Sequence, residues 1–198
     1  MSFGFHVATD HCYGCKTCSV GCANEHLLKP GVLLRRVRQI DTSDPIGHAF
    51  VSMSCNHCDN PACVENCPVG AYTKDEETGL VIQNHELCIG CQTCIEVCPF
   101  HAPAYCEEDS TTYKCDGCIT RRQAGLSPVC TIVCPSANIS SSDDFDELAG
   151  TFPNSVSIKD QAETGPNMMV ALDPNIDVSI FADIDGNENT VDRGGVNY

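Results

Sequence analysis

Tryptophan is absent from this chain, and Phe, Tyr and Trp together make up 6% of its 198 residues. Large aromatic side chains normally dominate the packing of a core. A chain of this size without them points to an interior filled by something other than side chains. Basic charge is scarce as well: 11 Lys and Arg stand against 27 Asp and Glu, a formal charge of −16. Neutralising a phosphate backbone takes clustered Lys and Arg, so this balance argues against a nucleic-acid partner. No apolar run approaches the ~18 residues of a membrane-spanning helix, and no direct membrane insertion is expected. The opening stretch "MSFGFHVATDHC" lacks a basic region followed by an apolar core, so no secretory signal is expected. On this reading, membrane attachment or export comes through another chain.

Cysteine, in contrast, is abundant, with 17 residues in four groups and one outlier. Group one is Cys12, Cys15, Cys18 and Cys22; group two is Cys55, Cys58, Cys63 and Cys67. Group three is Cys88, Cys91, Cys94 and Cys98; group four is Cys115, Cys118, Cys130 and Cys134. Cys106 stands apart. Each group closes on a C-x-x-x-C step, and Pro68, Pro99 and Pro135 follow the last cysteine of groups two, three and four, whereas group one runs on as "CANE". This is an internal repeat of ligand sets. The odd total and the prevalence of C-x-x-C pairs, whose disulfides would close small strained loops, argue against a disulfide scaffold.

The segments between the groups read as short strands and helices. "FGFHVATD" is a strand before group one, and "GVLLRRVRQI" with "AFVSMSC" form a pair across the turn-like "DTSDPIG". "AYTKDEETGLVIQ" is a hairpin with Glu77, Thr78 and Gly79 at its turn. Each C-x-x-x-C-P step predicts one or two helical turns that stop before the proline. "SSSDDFDELAG" predicts a short helix capped by serine, with acidic residues in its first turn. The division expected is a domain over residues 1–148 and an acidic extended tail over 149–198 that packs on a partner or stays solvated. Within that tail Asp183, Asp185 and Gly186 faintly resemble a calcium loop, but the glycine offset is wrong and no Glu closes it.

Four thiols within eleven residues, as in "CIGCQTCIEVCPF", ask for more than one small ion. Zinc takes four ligands, usually as two separated C-x-x-C pairs. Here three cysteines come at steps of three and the fourth leaves on a helical turn. The run C-x-x-C-x-x-C-x-x-x-C-P is the bacterial ferredoxin pattern, in which the fourth cysteine ligates a different cluster. Sixteen grouped cysteines, four to a cluster, match four [4Fe–4S] clusters. A zinc array is the competing reading.

The stretches "CYGCKTCSVGC", "CNHCDNPACVENCPVGA", "CIGCQTCIEVCPF", "KCDGC" and "PVCTIVCP" cover most of residues 3–140. In that order they resemble the four-cluster ferredoxin subunit of the molybdopterin oxidoreductases, the dimethyl sulfoxide reductase family. The resemblance implies an α+β fold of two pseudo-symmetric bacterial-ferredoxin-like units around four [4Fe–4S] clusters. It pairs group one with group four and group two with group three. Carried over, Cys12, Cys15, Cys18 and Cys134 hold one cluster, and Cys22, Cys115, Cys118 and Cys130 the second. Cys55, Cys58, Cys63 and Cys98 hold the third, and Cys67, Cys88, Cys91 and Cys94 the fourth. No ligand is missing; the absent proline after Cys22 is the one departure. The implied function is single-electron relay without catalytic residues, between a molybdopterin (molybdenum or tungsten) catalytic subunit and a quinol-linked membrane anchor or soluble partner. Implied substrates of the complex are S- or N-oxides, sulfur oxyanions, formate and catechols. The implied location is peripheral to the cytoplasmic membrane of an anaerobic or facultative prokaryote, on either side, with export alongside a twin-arginine partner or retention in the cytoplasm. A freestanding polyferredoxin, or a subunit of another redox complex such as a hydrogenase, is the alternative.

Several residues carry two readings each. Lys16 and Lys114, beside ligands, either raise a cluster's potential or are solvated. Arg35, Arg36 and Arg38 either dock a partner or lie solvated along a strand. His57, between two ligands, is a hydrogen-bond donor to a cluster sulfur rather than a ligand. Cys106 is read as a small buried apolar residue.

Overall fold

The computed structural model describes residues 2–41, 48–172, 176–183 and 190–191. Its first strand, β1 (Gly4–Ala8), leads into the loop of group one and α1 (Thr17–Glu25). β2 (Arg36–Asp41) and β3 (His48–Met53) pair antiparallel; the "DTSDPIG" connection between them lies largely outside the described residues. Then come α2 (Ala62–Glu65), β4 (Tyr72–Lys74), β5 (Val81–Gln83) and α3 (Thr93–Glu96). β6 (Ala104–Cys106), β7 (Thr111–Tyr113), α4 (Ile119–Gln123) and α5 (Val129–Ile132) follow. The chain continues through β8 (Ile139–Ser142), α6 (Phe145–Thr151), β9 (Val156–Ser157), β10 (Met168–Ala171) and β11 (Thr190–Val191). The result is the mixture of short helices and short strands that the sequence predicts.

The hairpin β4–β5 forms as its sequence dictates. Asp75 Oδ1 accepts from the amides of Glu77 and Thr78, and Gly79 completes the turn at φ 70°. α2, α3 and α5 are the single turns expected ahead of Cys67-Pro68, Cys98-Pro99 and Cys134-Pro135. Group one has no proline to stop it, and α1 runs for nine residues through Cys22. The cap of α6 differs from expectation. Asp144 Oδ1, not a serine, accepts from the amides of Asp146 and Glu147. The serines lie upstream in β8, where Ser142 Oγ accepts from Asp144 N–H instead.

One sheet, ordered β8-β1-β10-β9, ties the first strand to segments late in the chain: β1 runs parallel to β10 and antiparallel to β8. β9 and β10 come from the stretch expected to be an extended tail. β1 has neighbours on both edges, and α6 covers it so closely that a Cβ at Gly4 would meet the Phe145 ring. His6 stacks on Phe152. A strand covered this way reads as a continuous buried run rather than an alternation, and Phe3, Phe5, Val7, Met168 and Val170 are buried with it. The second sheet is β11-β2-β3, and β6–β7 makes another hairpin. The Asp183–Gly186 calcium-like stretch lies mostly outside the described residues.

If β10 is part of this core, Met168→Ala destabilises the chain by roughly 2–5 kcal/mol, read as a lower denaturant midpoint of the anaerobically prepared protein. An unchanged midpoint would show that β10 is dispensable.

Candidate functional site

The cysteine loops are built from one repeated backbone device. In Cys12-Tyr13-Gly14-Cys15, Cys88-Ile89-Gly90-Cys91 and Cys115-Asp116-Gly117-Cys118 the third residue is a glycine in the left-handed region, at φ 71°, 68° and 69°. At Gly90 a Cβ would overlap the carbonyl oxygen of Ser110 in the β6–β7 turn, so no other residue fits. Group two has His57 at this point, at φ 45°. The cost of that conformation in a residue with a side chain is offset by anchoring. Val81 N–H donates to His57 Nδ1 at 3.0 Å, and the His57 backbone amide points at Cys55 Sγ from 3.5 Å. The donor read for His57 is thus its backbone amide, while its fully buried ring packs edge-on against Phe3. Burial holds that ring well below the usual histidine range, and Lys114 and Lys74 push it further down.

A second device follows each Cys-Pro step. Gly70, His101 and Ala137, three residues after Cys67, Cys98 and Cys134, also take positive φ. That turn sends the next amide back to the sulfur: Ala71 to Cys67 at 3.2 Å, Ala102 to Cys98 at 3.5 Å and Asn138 to Cys134 at 3.3 Å. After Cys22 the helix continues, and the His26 amide goes to the Cys22 carbonyl instead.

These devices bring the sulfurs together. Cys12, Cys15, Cys18 and Cys134 line one small cavity, and Cys55, Cys58, Cys63 and Cys98 line another. Cys22 neighbours Cys130 and Cys118 electrostatically, and Cys115 neighbours Cys22. Cys67, Cys88 and Cys94 pack in one apolar cluster with Tyr72 and Val81, and Cys91 sits exposed at its edge beside Cys88. Thr112 Oγ1 lies 3.6 Å from both Cys88 and Cys94 sulfurs, and Tyr72 donates its hydroxyl to Cys94 Sγ at 3.3 Å. Cavities walled by several free thiols, with amides and hydroxyls aimed at the sulfurs, fit a thiolate-ligated iron–sulfur cluster.

The thiols divide by environment. Burial pushes Cys22 and Cys58 up to about 12, and Cys98 and Cys118 up to about 11. Burial acts the same way on Cys88, but the polar groups of Thr111, Thr112 and Gly90 around it outweigh burial and bring that thiol down to about 7. At the exposed Cys15 and Cys91 the hydroxyls of Thr17 and Thr93 lower the thiol pKa.

Of the flanking residues, Lys114 is buried and donates to the carbonyls of Val81 and Cys115, which fits the potential-raising reading; Lys16 is exposed. Arg36 donates to the carbonyls of His101 and Pro103. Arg35 is neither at a docking surface nor solvated; it is buried in the core. Cys106 is buried, as expected, with its thiol 3.3 Å from Asp109 Oδ2. The sequence reading missed Ser52, Tyr72, Thr112 and His26, the last 3.5 Å from Cys118 Sγ and 3.7 Å from Asp116. Ser52, Tyr72 and Thr112 reach their sulfurs from strands β3, β4 and β7 and His26 from the end of α1, all distant in sequence from the sulfur they touch, so no local spacing announces them.

Comparison with known proteins agrees with this chemistry. Residues 46–144 match the model of the 4Fe-4S dicluster domain. The chain is 34% identical to an anaerobic dimethyl sulfoxide reductase chain of Haemophilus influenzae, over 93% of this chain and 95% of that protein. It is 39% identical to YnfG of Escherichia coli, a probable anaerobic dimethyl sulfoxide reductase chain, over 67% of this chain and 69% of the other. Similarity extends to a tetrathionate reductase subunit of Salmonella typhimurium, at 37% identity over 62% and 50% of the two chains.

Two outcomes test the site. Gly90→Ala forces the Cys88–Cys91 loop off Ser110, and iron content is expected to fall by about four atoms per chain, one cubane's worth; full iron would show that the loop tolerates a side chain. Cluster assembly takes up thiolates and releases the thiol protons. Buried thiols with raised pKa therefore make in vitro loading more favourable as pH rises, and iron incorporated at about pH 8.5 should exceed that at about pH 7. Loading that is insensitive to pH would contradict assembly through protonated thiols.

Proposed function

The chain belongs to the 4Fe-4S dicluster family, and on that premise we propose that it is the electron-transfer subunit of a reductase complex, carrying four [4Fe–4S] clusters. Clusters bound in this way supply one-electron transfer and no substrate chemistry. In this reading Cys12, Cys15, Cys18 and Cys134 form the first ligand set, and Cys22, Cys115, Cys118 and Cys130 the second. Cys55, Cys58, Cys63 and Cys98 form the third, and Cys67, Cys88, Cys91 and Cys94 the fourth. The observation that carries it is the pair of cysteine-walled cavities, each of which takes three sulfurs from one group and one from another.

The chain's own residues hold the thiolates, exclude water and aim dipoles at the sulfurs. Ala71, Ala102 and Asn138 amides and the Tyr72 and Thr112 hydroxyls set the local field. Cys15 and Cys91 are the exposed sulfurs of the first and fourth sets, and electrons enter and leave at these edges. Two pseudo-symmetric units over residues 1–148, groups one and four in one and groups two and three in the other, account for the repeat.

The partner at one end is a molybdopterin catalytic subunit, and at the other a quinol-linked membrane anchor or a soluble carrier. In this reading the contact with a membrane is peripheral; among the described residues no helix is long and apolar enough to cross one. Ile158, Ile176, Ile180 and Phe181 of the stretch 149–198 join the chain's own core, and what that core and the sheets do not take up packs on a partner. The names of the relatives favour S-oxides or sulfur oxyanions as the oxidant reduced by the complex.

Anaerobic isolation of the chain from its host, with copurifying chains identified and molybdenum and tungsten quantified, tests the assignment. A large chain containing one of these metals, in stoichiometric amount, is expected. An iron-loaded chain that comes alone would identify a freestanding polyferredoxin instead.

A further inference from the structure

Arg35 is the largest fully buried side chain of the described residues, at 2% exposure. Its Nη1 donates to the Ser52 carbonyl at 3.1 Å and to Ser52 Oγ at 3.2 Å, and Nη2 donates to Ser54 Oγ at 2.8 Å. The guanidinium carbon lies 4.5 Å from the centroid of the Phe5 ring. All of these partners are neutral. Among the described residues no carboxylate lies within ion-pair distance of Arg35. An unpaired charge in an apolar interior is strongly unfavourable, and arginine cannot escape by losing its proton. A compensating negative charge must therefore lie nearby.

Among the described residues, the groups around Arg35 that can carry that charge are sulfurs. Ser52 Oγ, which accepts from Arg35, sits 3.3 Å from Cys18 Sγ, so the guanidinium, the hydroxyl and a sulfur of the first ligand set form a chain. Phe5, whose ring lies under the guanidinium, shares one buried cluster with Cys18, Cys22, Cys115 and Cys130, and negative charge on those four sulfurs outweighs the cost of burying the Arg35 charge. Cys18 belongs to the first proposed set; Cys22, Cys115 and Cys130 belong to the second.

We infer that Arg35 is the internal counter-ion shared by the two clusters of groups one and four, and that it raises the reduction potentials of this pair above those they would have without it. The inference rests on the proposed ligand sets. Reduction adds a negative charge to a cluster, and a fixed buried cation favours the reduced form, with little screening by salt at this depth. The hydroxyl of Ser52 passes part of that field to Cys18. Arg35 is thus a positioning residue that acts through the field at the sulfurs, and it touches no substrate.

The test is a redox titration of the anaerobically prepared chain, followed by electron paramagnetic resonance, with iron counted in every variant. Arg35→Gln is expected to keep its iron and to weaken the reduction of two of the clusters roughly tenfold at a given potential, a shift of about 59 mV toward negative values. The other two should move little. Arg35→Lys, which keeps the charge, should stay near the wild type. Ser54→Asp places a carboxylate against the guanidinium and should shift the same two clusters in the same direction as Arg35→Gln. Full iron with unmoved potentials in Arg35→Gln, or an equal shift of all four clusters, overturns the inference. If Arg35→Gln does not load, Ser54→Asp decides on the same criterion. If neither loads, loading by Arg35→Lys alone shows that the cavity demands the charge, and failure of Arg35→Lys as well assigns Arg35 to shape and overturns the inference. A wild-type chain without four clusters would overturn the functional reading itself, a result distinct from any of these.

Discussion

Buried sulfur governs this molecule. Thiols at Cys22, Cys58, Cys98 and Cys118 are pressed into surroundings that push their pKa to about 11 or 12. Cys22 and Cys118 share one apolar cluster with Phe3, Phe5, Leu80 and Phe181, and Cys58 and Cys98 pack against it. A metal that takes these sulfurs as thiolates converts an unfavourable burial into bonds, so cluster assembly and folding draw on the same free energy. Outside α1 and β3, many elements around the sulfurs are accordingly minimal, single turns such as α2, α3 and α5 and three-residue strands such as β4 and β7, which hold position through the ligands more than through their own stability.

Two backbone habits make such crowding workable. A left-handed residue inside each cysteine loop lets consecutive sulfurs face one way, and a left-handed residue after each Cys-Pro step returns an amide to the departing sulfur. Both habits orient N–H dipoles toward the place where negative charge accumulates. The sheet joining β1 to β10 closes the assembly from outside. Segments about 160 residues apart in sequence lie side by side in it, and such a non-local pairing repays its loop closure only once the core is in place.

Legibility from sequence followed distance along the chain. The four cysteine groups, the 72–83 hairpin and the turns before Pro68, Pro99 and Pro135 depend on residues a few positions apart, and spacing alone revealed them. "MMVA" of β10 escaped notice because a parallel strand buried on both faces has no alternation. Asp144 displaced the expected serine cap because the serines were already committed to β8. Arg35, Arg36 and Arg38 look alike in sequence, yet their depths differ, and depth is set by partners such as Phe5, Ser52 and Ser54 that lie far away in the chain. Tyr72 and Thr112 converge on Cys94 from two different hairpins for the same reason. A charge or hydroxyl in the primary sequence says little about the field it will create.

The central claim is that four cubanes occupy this one chain, and native mass spectrometry of the anaerobically isolated protein addresses it most directly. The account predicts a dominant species heavier than the polypeptide by four [4Fe–4S] units, with about sixteen irons and as many inorganic sulfides. A species that carried zinc without sulfide, or that held no more than two clusters with every cysteine intact, would contradict it.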